Sequence, residues 1–285
     1  MKKVSILVNS CDLYEDAWDP TFKLFKIQWP DCPYDFVLNS ETKEYSGDVE
    51  NVRTICCSKK CTWTERFRYV LEKIDAPYVL FTLEDYFLLN KVNSEVFEEA
   101  VSVMDNNPKV GMICLAQTER TDIKTDQYED KNFYSRVINE KCMIWCRICL
   151  YRRDYLLKLL KDHETIWEFE KYASYRARKL DYIILQQNNN APEVFTFKIK
   201  VEDGYGITGR KWLPKNVEFF NELGIHVNYD RLGVYKSPPS SSEQKQIVNS
   251  KKSNGIREML YSLKHFLKVT KKNIKKQQRK FKSTH

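Results

Sequence analysis

The chain has 285 residues, of which 42% are hydrophobic and 13% aromatic. This composition provides a large apolar core and excludes a chain that is disordered throughout. Eight glycines and nine prolines are too few for a collagen-like or many-turned all-β protein. The net charge of +8 is uneven, because residues 251–282 carry twelve Lys or Arg against a single acid, Glu258. The rest of the chain is slightly acidic, which argues against a DNA- or RNA-binding domain.

The nine cysteines predict reduced thiols rather than a disulfide framework. Their number is odd, and Met1-Lys2-Lys3 leads directly into a strand-like run with no secretory signal before it. We therefore expect a cytoplasmic protein. The cysteine clusters at 56–61 and 142–149 do not have the spacing of zinc fingers or ribbons, and no apolar run approaches the ~20 residues of a membrane span.

Up to residue 115 the sequence alternates between strand and helix patterns. Asp16 or Asp19 is expected to cap the first helix, with Pro20 in its first turn. Thr62 and Glu65 have the spacing of a capping box for the second helix. The strands are predicted at 4–8, 35–40, 52–57, 77–83 and 110–115, and the helices at 18–29, 62–74 and 93–104.

Residues 77–83 are the best candidate for a central strand, because a continuous apolar run of this length indicates a strand covered on both faces. The alternation of strands and helices predicts an α/β fold with a mostly parallel sheet and helices on both faces.

The second half of the sequence is less regular. Residues 117–132 are polar and without period, so we expect a mobile surface loop there. Further helices are predicted at 153–160, 167–180 and 214–223, strands at 182–185 and 194–199, and a glycine-rich loop at 204–212.

The acidic pair Glu84-Asp85 follows the predicted central strand. Open α/β sheets bind ligands at the carboxyl ends of their strands. Two carboxylates there are suited to Mg²⁺ or Mn²⁺, which in turn binds the phosphates of a nucleotide. Acids in this position also cap helices or face solvent, and the sequence leaves both interpretations open.

The segment Leu83-Glu84-Asp85-Tyr86-Phe87-Leu88-Leu89 resembles the acidic motif of bacterial GT-A glycosyltransferases, in particular those encoded with capsule and surface-polysaccharide genes. The chain departs from that family at Tyr86, where an Asp-x-Asp motif has its second acid, and at Ile166, where the family has Pro. Four other segments are also similar to the family: 5–18, Thr62-Trp63-Thr64-Glu65-Arg66, Ile166-Trp167-Glu168-Phe169-Glu170 with Arg176, and 206–212.

The resemblance implies a GT-A-like, Rossmann-like sheet and a nucleotide-sugar site. An inverting transfer needs a carboxylate that takes the proton of the acceptor hydroxyl. Because the spacing from Glu170 to Arg176 is similar to that of the family, we expect Glu170 to be this base, with Glu168 in reserve. The expected nucleotide-sugar ligands are Asp12, Tyr14, Asn39, Arg66, Glu84, Asp85 and Lys211, and the expected ligands for Mn²⁺ or Mg²⁺ are Asp85 and Glu84.

Each of these residues also has an ordinary structural interpretation. Asp12, Tyr14 and Asn39 contact ribose or base, or else they are loop residues. Arg66 reaches a phosphate through its guanidinium, or it forms a salt bridge. Glu168 is a base or part of a solvated helix face. Trp167 and Trp212 are expected to anchor the core rather than to bind sugar.

With this resemblance, the predicted organisation is a GT-A-like catalytic domain at 1–236, a linker at 237–255 and a basic amphipathic helix at 256–285. A basic amphipathic helix binds anionic membranes, a partner or nucleic acid, or is an inert solvated tail. We favour the membrane, because the expected acceptor is a lipid-linked saccharide at the inner face of the cell membrane.

The predicted function is therefore a nucleotide-sugar-dependent glycosyltransferase of surface-polysaccharide synthesis. The alternatives are a nucleotidyltransferase and a non-catalytic, membrane-associated binding protein with a degenerate transferase fold. The sequence contains no Gly-x-Gly-x-x-Gly motif, no Gly-Lys-Ser/Thr phosphate loop and no Gly-x-Ser-x-Gly elbow, which excludes dinucleotide oxidoreductases, P-loop kinases and α/β-hydrolases.

Overall fold

A computed structural model of the chain describes residues 2–116, 124–136, 144–197, 206–239 and 242–243. Residue contacts group Met1–Pro238 into one compact unit. The predicted linker is described only at 237–239 and 242–243, and the predicted helix at 256–285 lies outside the described residues.

The described residues contain one nine-stranded sheet with the order β3-β2-β1-β4-β8-β5-β9-β7-β6, and a separate hairpin of β10 and β11. From β3 to β4 neighbouring strands are parallel, β8 lies antiparallel between β4 and β5, and β9 is parallel to β5. The strands are β1 (Val4–Asn9), β2 (Asp35–Ser40), β3 (Val52–Cys56), β4 (Tyr78–Thr82), β5 (Val110–Cys114), β6 (Lys124–Glu129), β7 (Phe133–Arg136), β8 (Cys149–Arg152), β9 (Ile183–Gln187), β10 (Ile207–Thr208) and β11 (Lys211–Trp212).

The helices of the described residues connect these strands. A short 3-10 helix, Asp12–Ala17, leads from β1 into the first of them. They are α1 (Trp18–Gln28), α2 (Trp63–Glu72), α3 (Ser94–Asn106), α4 (Arg153–Leu159), α5 (Ile166–Ala177) and α6 (Pro214–Glu222). In the part of the chain that the structure describes, no helix combines the length and apolar character needed to cross a bilayer.

The strand register shows that helices cover both faces of the sheet. Phe36 of β2 and Phe81 of β4 lie beside consecutive residues of β1, so their side chains point to opposite faces. Phe22 of α1 packs against Phe36 with ring centroids 5.6 Å apart, and Phe67 of α2 packs against Phe81 at 5.2 Å. The predicted α/β class, with a mostly parallel sheet between two helical layers, is confirmed.

Two predictions for the second half of the chain are wrong. Residues 124–129, predicted to be part of a loop, form β6 at the edge of the sheet. Most of its side chains are exposed, so an edge strand of this kind has no apolar alternation to reveal it. Conversely, the described part of the predicted strand 194–199 forms only an isolated bridge from Phe197 to Leu88.

The expected caps have mixed outcomes. Thr62 and Glu65 form the predicted capping box of α2. Neither Asp16 nor Asp19 caps α1, because the 3-10 helix runs directly into it and Ala17 occupies the N-cap position. Asp16 instead pairs with Arg231 at 2.7 Å, a contact between residues that are far apart in the sequence.

Phe87, just after the acidic pair, fixes the end of β4 to the C-terminal part of the domain. Its ring stacks on Trp212 of β11 with centroids 5.9 Å apart, and it contacts Phe220 of α6 edge-on at 5.0 Å. Phe87, Trp212 and Phe220 are all buried. The packing therefore holds the hairpin β10–β11 next to the carboxyl end of β4.

We predict that Phe87→Ala lowers the free energy of unfolding by about 3–5 kcal/mol, because it removes a buried ring and leaves a cavity. Urea denaturation followed by circular dichroism measures this change. Tyr69→Ala is the control, since Tyr69 is 38% exposed and its loss is expected to change stability by less than about 0.5 kcal/mol. Equal stability of the two variants would contradict the role given to Phe87.

Candidate functional site

The candidate site lies at the carboxyl ends of β1 and β4. The strand order reverses here, because the chain goes from β1 outward to β2 and β3 and then returns to β4 on the other side of β1. Crevices at such reversal points bind ligands in open α/β sheets. Ser10, Cys11 and Asp12 follow β1, and Glu84 and Asp85 follow β4, so the two predicted segments face the same crevice.

Glu84 is a buried carboxyl group held by β1 and α1. Thr21 of α1 donates a hydrogen bond to its backbone carbonyl at 2.5 Å. The Ser10 hydroxyl donates to its carboxylate and accepts from the Trp18 indole at 2.7 Å. Burial, together with the charge of Asp85, raises the pKa of Glu84 to about 8, although the Ser10 hydrogen bond acts in the opposite direction. Glu84 is therefore mostly protonated at neutral pH.

Asp85 faces the 3-10 helix and the C-terminal hairpin. A Cβ atom at Gly206 would lie 3.9 Å from a carboxylate oxygen of Asp85, which shows how closely the backbone before β10 approaches it. Burial raises the pKa of Tyr14, and the charges of Glu84 and Asp85 raise it further, while Arg210 opposes them. Tyr14, Asp85 and Arg210 therefore lie close enough to interact electrostatically.

Asp12 organises the loop that follows β2. One of its carboxylate oxygens accepts the backbone N–H groups of Glu41, Thr42 and Lys43 at 3.0–3.2 Å, and the other accepts the Thr42 hydroxyl at 2.5 Å. Burial opposes the charge of Asp12, but these hydrogen bonds prevail and lower its pKa to about 2. The carboxylate is thus committed to holding the loop, and a contact of Asp12 with ribose stays a prediction.

Arg66 and Asn39 lie beside this loop. The Arg66 guanidinium is buried and forms a salt bridge with Glu41 at 3.0 Å. The Asn39 amide donates to the Asn9 side chain across the β1–β2 pair. In the described part of the chain, the Asn39 side-chain oxygen and the Asn9 side-chain nitrogen have no hydrogen-bond partner. Because both side chains are almost fully buried, a contact of Asn39 with a nucleobase stays a prediction.

Glu170 lies on the inward side of α5. One of its carboxylate oxygens accepts the backbone N–H of Cys146 at 2.8 Å. Tyr86 is the residue after Asp85, and its hydroxyl donates a hydrogen bond to the carbonyl of the same Cys146 at 3.4 Å. Burial raises the pKa of Glu170, and the Cys146 N–H and the Arg147 charge only partly offset this. Residues 144–147 thus connect Glu170 to the segment that carries Asp85.

Glu168 and Arg176 of the same helix have structural partners. The Glu168 carboxylate accepts the Thr165 backbone N–H at 2.9 Å and completes the capping box of α5. Arg176 forms a two-pronged pair with Glu164 at 2.7 and 2.6 Å and does not contact Glu170 in the described structure. The two acids of the motif therefore differ, since Glu168 stabilises the helix start and Glu170 faces residues 144–147.

The hairpin carries two neighbouring cations, and a contact of Lys211 with a nucleotide sugar stays a prediction. The Lys211 ammonium lies over the Tyr235 ring, 5.4 Å from its centroid, while the charge of the neighbouring Arg210 acts on Tyr14. Gly209 and Arg210 form the tight turn of the hairpin with φ angles of 58° and 66°. Trp212 is buried as predicted, but Trp167 is 59% exposed, so its predicted role as a core anchor is wrong.

Sequence reasoning missed Arg147. Its guanidinium lies 4.9 Å from the centroid of the Trp145 ring, and its charge acts on both Tyr86 and Glu170. It is thus a cation close to Glu170 and to Tyr86, the residue after Asp85. The segment around it has no helical or strand period and matches no motif of the resemblance, so only the hydrogen bonds of Cys146 reveal its place.

The acidic pair fits a metal ion that is shared with a substrate, rather than one held by protein alone. Among the described residues no three His, Cys, Asp or Glu side chains form a metal cluster. A protonated Glu84 is a poor metal ligand, so Asp85 is the better candidate of the two, and metal binding by either residue stays a prediction. Mg²⁺ is commonly bound through one or two carboxylates together with substrate phosphates and water.

No protein-family model matches the sequence, and no curated protein matches it. The fold is similar to solved structures at low identity. The bifunctional IspDF of Campylobacter jejuni is 16% identical, with a TM-score of 0.39 over 71% of this chain and 53% of that one. The 2-C-methyl-D-erythritol 4-phosphate cytidylyltransferase of Thermus thermophilus is 11% identical, with a TM-score of 0.43 over 78% and 99%.

A third structure is S. aureus TarS 1-349 in complex with UDP, which is 13% identical with a TM-score of 0.41 over 70% of this chain and 62% of that one. This chain spans about half the length of IspDF. At these scores the likeness concerns the general layout of the α/β sheet.

We predict that the stability of the protein falls as the pH rises from about 4.5 to about 8, because folded Glu84 holds its proton over this range while unfolded Glu84 loses it. Glu84→Gln removes this contribution, since the amide does not titrate. Between these pH values the melting temperature of the variant is therefore expected to fall by several degrees less than that of the parent protein.

Differential scanning calorimetry at both pH values measures this difference. Glu72→Gln on the exposed side of α2 is the matched control and is expected to follow the parent protein. Parallel curves for Glu84→Gln and the parent would show that Glu84 is ionised in the folded state.

Proposed function

We propose that this chain transfers a sugar from a nucleotide-sugar donor to a saccharide acceptor. The observation that carries the proposal is the pairing of two carboxylates in different environments: Asp85 at the end of β4, and Glu170, whose pKa is raised, on α5. Both are linked to Cys146, Glu170 directly and Asp85 through its neighbour Tyr86. Carboxylates that differ in this way are suited to different roles in one reaction.

The nucleotide is expected to occupy the β1–β4 side of the crevice. Asn39 of β2 is expected to lie on the side of the base, and the loop held by Asp12 is expected to border the ribose. Tyr14 offers an aromatic face. Arg66 is already paired with Glu41, so its contact with a phosphate requires that this pair opens.

The diphosphate is expected near Asp85, which would hold Mn²⁺ or Mg²⁺; the ion would supply positive charge to the leaving group. The charge of Arg210 acts on Tyr14, and the charge of Arg147 acts on Glu170. Because guanidinium groups bind phosphates through two donors, both residues are candidates for diphosphate contact, in preference to Lys211.

The reaction we propose inverts the anomeric centre. The acceptor hydroxyl oxygen attacks the anomeric carbon and its proton passes to Glu170. The bond from the anomeric carbon to the diphosphate breaks, and its electron pair leaves with the diphosphate oxygen. Because one oxygen of Glu170 already accepts the Cys146 N–H, the carboxylate is oriented, and its raised pKa makes it a stronger base than an exposed glutamate.

The finer assignment follows the resemblance of the sequence motifs. By this assignment, the chain is a hexosyltransferase of capsule or surface-polysaccharide synthesis, and its acceptor is a lipid-linked saccharide at the inner face of the cell membrane. The basic segment 251–282 is proposed to hold the protein there. The rival proposal is a nucleotidyltransferase, which releases pyrophosphate from a nucleoside triphosphate instead of a nucleoside diphosphate from a nucleotide sugar.

We predict that UDP, GDP, dTDP or CMP with Mn²⁺ raises the melting temperature of the protein, because a ligand of the folded state stabilises it. Asp85→Ala is expected to remove this shift and to abolish sugar transfer while the variant remains folded. Thermal-shift assays and nucleoside diphosphate release measure both effects.

Failure of all four nucleotides to shift the melting temperature would favour the non-catalytic alternative. Pyrophosphate release from a nucleoside triphosphate, without transfer from any nucleotide sugar, would favour the nucleotidyltransferase. Release of a nucleoside diphosphate only when a saccharide acceptor is present would support the proposal directly.

We predict that Glu170→Gln lowers kcat at least about a hundredfold with nearly unchanged nucleotide-sugar affinity, because the amide cannot take the proton. In the parent protein, kcat is expected to fall as the pH drops through the raised pKa of Glu170. Glu168→Gln is the matched variant, because Gln retains the capping-box hydrogen bond of α5. If turnover fell in Glu168→Gln and not in Glu170→Gln, the base would be Glu168.

A further inference from the structure

Helix α5 exposes an unusual set of side chains. Among the described residues the exposed large hydrophobic side chains are Trp167 (59%), Tyr175 (41%), Tyr69 (38%) and Tyr172 (36%). Three of these four belong to the twelve residues of α5. Large apolar side chains that are exposed together on one element mark a surface that binds something.

The exposed side chains share one face of the helix. Trp167, Lys171, Tyr175 and Arg178 recur at intervals of three or four residues, which places them in one stripe. The opposite side of α5 is buried against the domain through Phe169, Ala173 and Ala177. The stripe therefore points away from the core. We call it, together with Tyr172 and Lys179, the aromatic-basic face of α5.

Cations and aromatic rings contact each other within this face. The Lys171 ammonium lies 5.3 Å from the Tyr172 ring centroid, and the Arg178 guanidinium lies 4.9 Å from that of Tyr175. The face also contains Glu168, whose carboxylate is engaged in the capping box of α5. The face is therefore both aromatic and positively charged.

We propose that the aromatic-basic face of α5 lies on an anionic lipid surface. Trp and Tyr are the residues that prefer the depth of lipid headgroups, because their rings are apolar and their N–H or O–H groups are polar. Lys and Arg beside them bind anionic headgroups. A face that is half aromatic and half cationic matches a headgroup layer better than the apolar core of a protein interface, from which lysine is depleted.

The position of this face matters for the proposed transfer. Trp167 lies three residues before Glu170, so the two side chains are neighbours on the surface of α5; Trp167 is exposed, whereas the Glu170 carboxylate contacts Cys146. A lipid surface on this face would bring the headgroup of a lipid-linked acceptor near the base. This consequence rests on the proposed function, whereas the lipid contact itself does not.

The distribution of tryptophans provides a sharp test on the full chain. Of its six tryptophans, Trp18, Trp29, Trp145 and Trp212 are buried, Trp63 is half-buried, and the segment 244–285 contains none. Quenching of tryptophan fluorescence by lipids with brominated acyl chains therefore reports on Trp167. It does so even if the basic C-terminal segment also binds the vesicle.

We expect strong quenching with vesicles of brominated phosphatidylcholine and phosphatidylglycerol, and little with brominated phosphatidylcholine alone. Trp167→Phe is expected to lose most of the quenching. The double variant Lys171→Glu with Arg178→Glu is expected to need about tenfold more lipid, or more, for half-maximal quenching. The reason is that each cation near the surface contributes substantially to binding. Tyr69→Ala with Lys73→Glu alters a similar pair on α2, 4.8 Å apart, and serves as the matched control with unchanged quenching.

Two results would overturn the proposal. The first is protein that sediments with anionic vesicles without quenching of Trp167, since another surface would then hold it. The second is a combination of two findings: vesicles do not quench the fluorescence of the parent protein, and Trp167→Phe loses affinity for a water-soluble saccharide. Trp167 would then bind sugar rather than lipid. Because none of these readouts requires sugar transfer, failure here is distinct from failure of the proposed function.

Discussion

The contact between Thr21 and the Glu84 carbonyl joins the parts of this molecule on which the candidate site depends. It ties α1, which covers one face of the sheet, to the end of β4. Ser10 and Trp18 continue the same network from the end of β1. The network holds the carboxyl ends of the two strands at a fixed separation, but it also buries a carboxyl group. Burial of a charge is unfavourable, so Glu84 keeps its proton at a pH where an exposed glutamate is ionised.

The raised pKa of Glu84 distinguishes it from its neighbour Asp85 at the centre of the site. Asp85 is directed towards the hairpin by the residues that follow it, because Tyr86 hydrogen-bonds to Cys146 and Phe87 packs between Trp212 and Phe220. The acidic motif is thus a short chain segment whose consecutive side chains are anchored in three different parts of the domain. A substitution at any of these anchors is expected to move Asp85.

Several features were evident from the sequence because they depend on neighbouring residues alone. The capping box of Thr62 and Glu65, the apolar run at 77–83 and the polar ends of β1 and β4 follow from local pattern. The edge strand β6 was not evident, since an exposed strand needs no apolar alternation. The 3-10 helix before α1 was not evident either, because Asp16 is fixed by Arg231, a residue 215 positions away.

The sequence by itself determined that this is an α/β protein with an acidic pair at the end of a central strand and two further acids at the start of a later helix. The tertiary structure decided how these acids differ. It buries Glu84 and turns Glu170 towards Cys146 and Arg147, whereas Glu168 caps α5 through a local contact with Thr165. It also exposes Trp167, which composition and pattern assigned to the core. Burial and long-range contacts set these properties, and neither is encoded in the spacing of residues along the chain.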